Sequence, residues 1–223
     1  MKVNHYTLLS LVFLALSLLM KSIPLLDIKV LKFFNTLMID KTFFSFFTEI
    51  GNGLICLAIT VPLLSLISYR TSLNNVKVQT LVFVGLGVGL IVKVLKELTS
   101  LYAVRPGFYE FEDVIYLEPV YLYSSFPSGH AATIFSLFLV WISLAFRNTK
   151  ISNAGLTITL LLIFALMVSL SRVIVAAHWL SDVLGSIALA FVALNAIRFK
   201  VFKNILFESR IAKFTSFFLI GAA

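Results

Sequence analysis

Long apolar runs separated by short polar segments dominate this sequence and predict its elements. Apolar runs close to the length needed to cross a bilayer occupy residues 6–20, 51–68, 76–98, 127–146, 154–170 and 178–197. Each run predicts one membrane-spanning helix, so the expected fold is all-α: an integral membrane bundle of six helices. The first run could instead be a signal peptide, but Lys21, Pro24 and Leu25 follow it where a small-residue cleavage site would be needed.

The segment 27–48 has a different pattern, in which charged residues alternate with phenylalanines such as Phe33, Phe43 and Phe46. This mixture is typical of amphipathic helices that lie in the membrane interface with the apolar face toward lipid. A soluble loop is a weaker interpretation because it would expose many aromatic rings to water. We therefore expect interfacial helices after the first span.

Composition supports a membrane protein and argues against other classes. Hydrophobic residues make up 60% of the 223 residues and charged residues only 13%. The net charge of +8 could indicate nucleic acid binding, but the basic residues are scattered among apolar runs. Attraction to an anionic lipid surface explains that charge better, so the bilayer is an expected partner and nucleic acid is not.

The chain is short enough for a single domain, residues 1–223. The polar motifs fall within residues 26–198, and residues 199–223 are basic and then apolar, which predicts a surface helix. Cys56 is the only cysteine, so an intrachain disulfide is impossible and a thiol site is not expected. The oligomeric state is left open.

The longest polar connection, residues 99–126, carries an acidic cluster. Its members are Glu110, Glu112, Asp113 and Glu118. The cluster can be a solvated rim or a surface that selects cationic or sugar headgroups, and the first interpretation is favoured. Long loops are often functional, so both stay open at this point.

The first candidate chemical site is the run SRVIVAAHWLSD, residues 171–182, inside an otherwise apolar region. If its second half is helical, His178 and Asp182 are four residues apart and share one face. The carboxylate can then fix the imidazole tautomer and leave the other nitrogen as base or nucleophile. Arg172 adds planar donors that match phosphate oxygens.

The second candidate is the run Pro127-Ser128-Gly129-His130, which begins the fourth apolar segment. Pro127 favours an extended entry and Ser128 is a good N-cap, so a helix is expected to begin here. The free N–H groups of its first turn, at Gly129 and His130, would bind an anion. His130 can exchange a proton near that anion.

Two other interpretations compete with phosphate chemistry. Arg172 and Asp182 could simply lie at a helix–water boundary, with His178 as a satisfied polar residue. Alternatively, two histidines and Asp182 could form a facial triad for a metal ion. Fixed cations beside these ligands would repel a metal and attract a phosphate, so no metal or other cofactor is expected.

Together these runs resemble the type-2 phosphatidic acid phosphatase family. The family signature Ser-Arg, five residues, His, three residues, Asp is matched in full by residues 171–182, and Pro-Ser-Gly-His is matched by residues 127–130. A third signature, Lys, six residues, Arg-Pro, is matched at Arg105-Pro106 only. Lys96, the nearest lysine, has eight residues between it and Arg105.

The resemblance implies a membrane lipid phosphatase. It assigns nucleophilic attack and a phosphohistidine to His178, ring orientation to Asp182, and proton transfer to His130. It assigns the phosphate oxygens to Lys96, Arg105, Ser128, Gly129 and Arg172.

Undecaprenyl diphosphate, phosphatidylglycerophosphate, phosphatidic acid and the 1-phosphate of lipid A are the substrates considered. A lipid phosphotransferase and a non-catalytic membrane protein with an anion site remain as alternatives.

Orientation follows from the distribution of basic residues. With six spans both termini lie on one side, and that side carries more lysine and arginine than the other once Lys96, Arg105 and Arg172 are set aside as site residues. The positive-inside rule then makes the termini cytoplasmic. We expect a multi-pass protein of the cell (inner) membrane whose site faces the periplasm or exterior.

Overall fold

The computed structural model describes residues 4–70, 78–117, 119–147 and 151–198. Helices dominate this part of the chain. They are α1 (His5–Ser22), α2 (Pro24–Asn35), α3 (Lys41–Glu49), α4 (Gly53–Ile55), a π-helical segment (Cys56–Thr60), α5 (Val61–Arg70), α6 (Val78–Thr99), a 3-10 turn (Pro106–Tyr109), α7 (Gly129–Ala145), α8 (Ile151–Ile174) and α9 (Leu180–Arg198). The all-α prediction is confirmed. The predicted C-terminal surface helix lies outside the described residues.

The predicted count of six spans is not confirmed. Within the described residues, α1, α6, α8 and α9 are long and apolar enough to cross a membrane. The helix that begins at Gly53 joins them only if it is taken with α3 as one span, and the two are bent by 57°. The apolar helix α7 has 17 residues, which is at the lower end of the length that crosses a bilayer.

Helix α7 lies at the centre of the bundle, where it packs against α6, α8 and α9. Its Trp141 is 2% exposed, and the indole N–H donates to Leu64 O at 3.0 Å and to Ser68 Oγ at 2.8 Å. Buried tryptophan needs such a partner for its N–H. These contacts attach α5 to the central helix and fix one wall of the core.

Helix α1 packs along α9, and hydroxyl groups connect the two. Ser10 Oγ donates to Ala188 O at 3.1 Å, and Ser17 Oγ donates to Ser181 O at 2.7 Å. Small polar residues of this kind join helices where lipid gives no hydrophobic drive for association. The leucines on the outer side of α1 are exposed, as a lipid-facing surface requires.

Helices α2 and α3 occupy the segment for which amphipathic helices are predicted. Phe33, Phe43 and Phe46 are exposed, whereas Asn35 is 3% exposed. The Asn35 side-chain amide donates to Ile115 O at 2.9 Å and to Ile174 O at 2.8 Å, so α2 connects the loop after α6 with the end of α8. The helices are present, and their location at the membrane interface stays a prediction.

Candidate active site

Asp182 is the most heavily contacted carboxylate of the site. Its Oδ2 lies 3.4 Å from His178 Nδ1 and accepts hydrogen bonds from Ser125 Oγ at 2.5 Å and from the Trp179 N–H at 3.1 Å. Its Oδ1 forms an ion pair with Lys21 Nζ at 3.2 Å. These partners fix the carboxylate on the Nδ1 side of the ring, so Nε2 is the nitrogen left for chemistry.

The predicted helical placement of His178 is wrong, although the predicted contact with Asp182 is present. Helix α9 begins at Leu180, so His178 lies in the turn after α8. Ala176 has a φ of 54°, and the N–H groups of Ala177 and His178 both donate to Arg172 O at 3.0 Å. This tight turn ends α8 and brings His178 back over the end of the helix.

His178 is 1% exposed. Burial lowers the pKa of His178, and the contact with Asp182 opposes this effect only in part, while Arg105 and Lys96 add to the lowering. The ring is therefore neutral at neutral pH. A neutral imidazole with a carboxylate on one nitrogen retains a lone pair on the other, as a nucleophile requires.

Arg105 connects the loop after α6 with the turn that carries His178. Its Nε donates to Tyr123 O at 2.9 Å and its Nη1 donates to Ala177 O at 3.2 Å. The side chain is 8% exposed and forms no ion pair with a carboxylate in the described part of the chain, so its charge acts on the site. Arg105 therefore lies beside the turn that carries His178.

Arg172 lies near the end of α8 and is held by α3. Its Nη1 donates to Thr48 Oγ1 at 2.8 Å, and Ser171 Oγ donates to the same oxygen at 3.0 Å. Arg172 is 9% exposed, yet its Nε has no partner among the described residues. A buried donor without a partner is costly, and an anion in the site would satisfy it.

The Ser128 side chain departs from its predicted role as a helix cap. Ser128 occupies the N-cap position of α7, but its hydroxyl makes no capping bond. The hydroxyl is buried and has no partner among the described residues, while the Ser128 N–H lies 3.5 Å from Asp182 O. A Cβ built on the next residue, Gly129, would meet only Val92 Cγ1 at 3.6 Å. The first turn of α7 therefore keeps open space beside free donors, as an anion site requires.

The structure also brings Lys96 to this site. Lys96 is half-buried on α6 and interacts electrostatically with Arg105, Arg172 and Asp182. His130 in turn interacts with Arg172, His178, Lys96 and Arg105. The eight positions singled out in the sequence therefore converge, although they come from four separate stretches of the chain.

A cavity of about 320 Å³ opens on part of this cluster. Arg105, His130 and Arg172 line it, together with Thr48 and Glu49 of α3. His178 and Asp182 do not line it, since both are buried. The cavity therefore exposes His130 and two cations, and it reaches Ala177, the residue that precedes His178.

The three described members of the acidic cluster do not line this cavity. Glu110, Glu112 and Asp113 are exposed, and Asp113 forms an ion pair with Lys32 at 2.7 Å. That contact lowers the pKa of Asp113. These residues therefore form a solvated rim, and Glu118 lies outside the described residues.

A facial metal triad has no counterpart here. No three His, Cys, Asp or Glu side chains converge as ligands in the described part of the chain. His130 Nε2 faces Glu49 Oε1 at 3.5 Å and so does not join His178 and Asp182 around one point. The cations around His130 favour an anionic guest instead.

Four residues of the site carry no signal in the sequence. They are Lys21, Thr48, Glu49 and Ser125. Lys21 contacts Asp182 across 161 positions, and Thr48 contacts Arg172 across 124. Such contacts depend on how helices pack, so no local spacing could have identified them.

Comparisons with known proteins agree with the motifs. The sequence model of the PAP2 superfamily matches residues 77–206, more than half of the chain. A search of curated proteins found no match.

Two crystal structures share the fold. Aquifex aeolicus LpxE has a TM-score of 0.58 and 22% identity, with 77% of this chain and 93% of that one covered. The first transmembrane PAP2 type phosphatidylglycerolphosphate phosphatase from Bacillus subtilis has a TM-score of 0.59 and 20% identity, with 92% and 98% covered. The candidate membrane spans and the shared fold indicate a multi-pass membrane protein. Because the family model matches more than half of the chain, the protein belongs to the PAP2 superfamily.

Proposed function

We propose that this protein is a lipid phosphatase that removes phosphate from a phosphorylated membrane lipid. The observation that carries the proposal is a pair of buried polar atoms without partners among the described residues: Arg172 Nε, whose side chain lines a cavity with other cationic groups, and Ser128 Oγ at the start of α7. A phosphoryl group supplies the acceptors that both donors lack. Neutralising its oxygens is the main requirement of phosphoryl transfer.

The reaction has two steps. In the first, the lone pair on His178 Nε2 forms a bond to phosphorus while the bond to the lipid oxygen breaks, and His130 gives its proton to that oxygen. In the second, His130 takes a proton from water as the water oxygen attacks phosphorus and the N–P bond breaks. Inorganic phosphate leaves and both histidines return to their starting states.

The remaining residues act on charge and orientation. Lys96, Arg105 and Arg172 bind the equatorial oxygens together with Ser128 and the Gly129 N–H, and Asp182 holds the His178 ring. Cationic side chains stabilise the negative charge that develops on the phosphoryl oxygens most strongly in a site that excludes water. The small exposure of Arg105 and Arg172 supports this assignment.

The apolar helices support a lipid as the leaving group, because they are suited to hold the site at a bilayer. The Bacillus subtilis structure that shares the fold is named for phosphatidylglycerolphosphate, which makes phosphatidylglycerophosphate the first substrate to test. Undecaprenyl diphosphate, phosphatidic acid and lipid A 1-phosphate complete the set. A transferase would form the same phosphohistidine and differ only in its acceptor.

We expect purified protein to release phosphate from at least one of these four lipids with excess chelator present. In the proposed mechanism cationic side chains, and not a metal ion, neutralise the negative charge of the phosphoryl group. Orthovanadate should inhibit, since it can accept His178 as an apical ligand and resembles the transition state. Phosphate release in detergent micelles measures both effects. Activity that is lost in chelator and restored by magnesium or zinc would contradict the mechanism. Phosphate found on a second lipid instead of in solution would identify a transferase.

We propose that the site faces the periplasm or exterior of the inner membrane. Cys56 is buried, so single introduced cysteines can report on each side. Glu112→Cys, in the exposed loop before α7, should react with a membrane-impermeant maleimide in intact cells. Arg147→Cys, at the other end of α7, should react only after permeabilisation. The reverse pattern would invert the orientation and the leaflet from which substrate is drawn.

A further inference from the structure

Glu49, the last residue of α3, faces His130 and lies outside the sequence motifs of the candidate site. Its Oε1 lies 3.5 Å from His130 Nε2, and its Oε2 accepts from Asn52 Nδ2 at 2.8 Å. The side chain lines the cavity, and 45% of it is exposed. Residue 49 also precedes the region 77–206 that matches the superfamily.

The contact between Glu49 and His130 follows from close packing of the backbone after α3 against the start of α7. A Cβ on Gly51 would lie 2.9 Å from His130 Cβ and 3.1 Å from His130 O, so the turn after α3 touches the first turn of α7. Only glycine permits that approach without a shift. Thr48, the residue before Glu49, holds Arg172 at 2.8 Å. The end of α3 is therefore fixed against both α7 and α8.

The charged groups around His130 affect whether its ring carries a second proton. Arg172 from α8, His178 from the following turn, Lys96 from α6 and Arg105 from the loop after α6 all act on the ring. Each of these groups, when charged, opposes a proton on His130. Glu49 from α3 has the opposite sign, and a carboxylate within about 4–6 Å favours the charged form of its partner.

We propose that Glu49 is a positioning residue for His130, holding its Nε2–H so that Nδ1 exchanges the proton with the lipid oxygen. This inference rests on the proposed phosphatase function. Protonated His130 gives the Nδ1 proton to the leaving oxygen as the P–O bond breaks, and the neutral ring keeps its Nε2–H on Glu49. In the second step Nδ1 takes the proton from water, with Glu49 stabilising the charge that forms. In this structure His130 Nε2 is buried without a hydrogen-bond partner among the described residues, and Glu49 Oε1, at 3.5 Å, is the acceptor that faces it. Catalytic hydrogen bonds that are long without substrate commonly shorten when substrate is bound.

The test compares two leaving groups in the first turnover. Phosphatidic acid needs a proton on its leaving oxygen, whereas a long-chain alkyl-nitrophenyl phosphate has the same phosphate and an apolar tail but a leaving group that departs without one. Glu49→Gln should slow release from phosphatidic acid about 10-fold or more, and release of the nitrophenol by less than about 3-fold. Glu49→Asp keeps the charge and should recover part of the loss.

Glu112→Gln is the matched control, because Glu112 is exposed and does not line the cavity. It should leave both rates unchanged. Equal slowing of the two substrates by Glu49→Gln would assign a merely structural role, and unchanged rates would remove any role. Either result overturns the inference while wild-type phosphate release still supports the phosphatase function. A wild-type protein that releases no phosphate would instead overturn the function itself.

Discussion

His178→Ala should lower phosphate release by at least about 10³-fold, the scale expected when a covalent catalyst is removed. The side chain is buried beside Asp182, whose Oδ2 lies 3.4 Å from Nδ1, so Nε2 is the nitrogen left for attack on phosphorus. His130, the other histidine of the site, has Glu49 as its carboxylate neighbour instead. Alanine therefore removes the group that we propose forms the N–P bond.

Two variants calibrate this result. Asp182→Asn should cost less than His178→Ala, because the imidazole survives and loses only its charged orienting partner. His5→Ala should have no effect, since His5 is exposed at the start of α1. Phosphate release from phosphatidylglycerophosphate is the measurement. Turnover near the wild-type rate in His178→Ala would end the phosphohistidine mechanism.

Local spacing predicts part of the geometry of the candidate site, because the motifs are short. His178 and Asp182 are four residues apart and in contact, and Pro127 to His130 does begin a helix. The resemblance to the type-2 phosphatidic acid phosphatase family is confirmed by the superfamily match. Hydropathy also places the main helices to within a few residues, since lipid imposes the length of each apolar run.

Predictions from the sequence fail where a backbone turn or long-range packing determines the position of a side chain. The left-handed conformation of Ala176 ends α8 and keeps His178 out of α9, which apolar periodicity cannot reveal in the run VIVAA. The Ser128 hydroxyl makes no capping bond, although Ser128 occupies the N-cap position that the sequence predicts. The predicted count of six spans is not confirmed, since α7 begins at Gly129 and has 17 residues.

Contacts between segments that are distant in the chain cannot be predicted from a single sequence. Lys21 pairs with Asp182 because α1 packs along α9, and Ser125 reaches the same carboxylate from the loop before α7. Both segments lie outside the motif that carries Asp182. The charge and hydrogen bonds that tune the His178–Asp182 pair are therefore supplied by helix packing, while the pair itself is supplied by local sequence.

The irregular motif around Lys96 gives the second large effect. Lys96→Ala should lower phosphate release about 10²- to 10³-fold, which is the loss expected for one donor to the transition state. The structure places the half-buried Lys96 near Arg105 and Arg172, although two extra residues separate it from Arg105 relative to the family spacing. Helix α6 continues to Thr99, and the chain then turns before Arg105, so the longer connection still brings Lys96 to the cluster.

Lys93→Ala supplies the matched control for this variant. Lys93 lies almost one turn earlier on α6 and is exposed, so it has the same charge and helix but lies outside the cluster. Its replacement should change phosphate release by less than about 3-fold, as expected for a lysine at the end of a span that extends to the interface. A ligand role also predicts a rise in KM for Lys96→Ala, because bound phosphate loses a cation in the ground state as well. Equal and small effects of the two substitutions would instead leave Lys96 as an interfacial anchor, with Arg105 and Arg172 as the cations that bind phosphate.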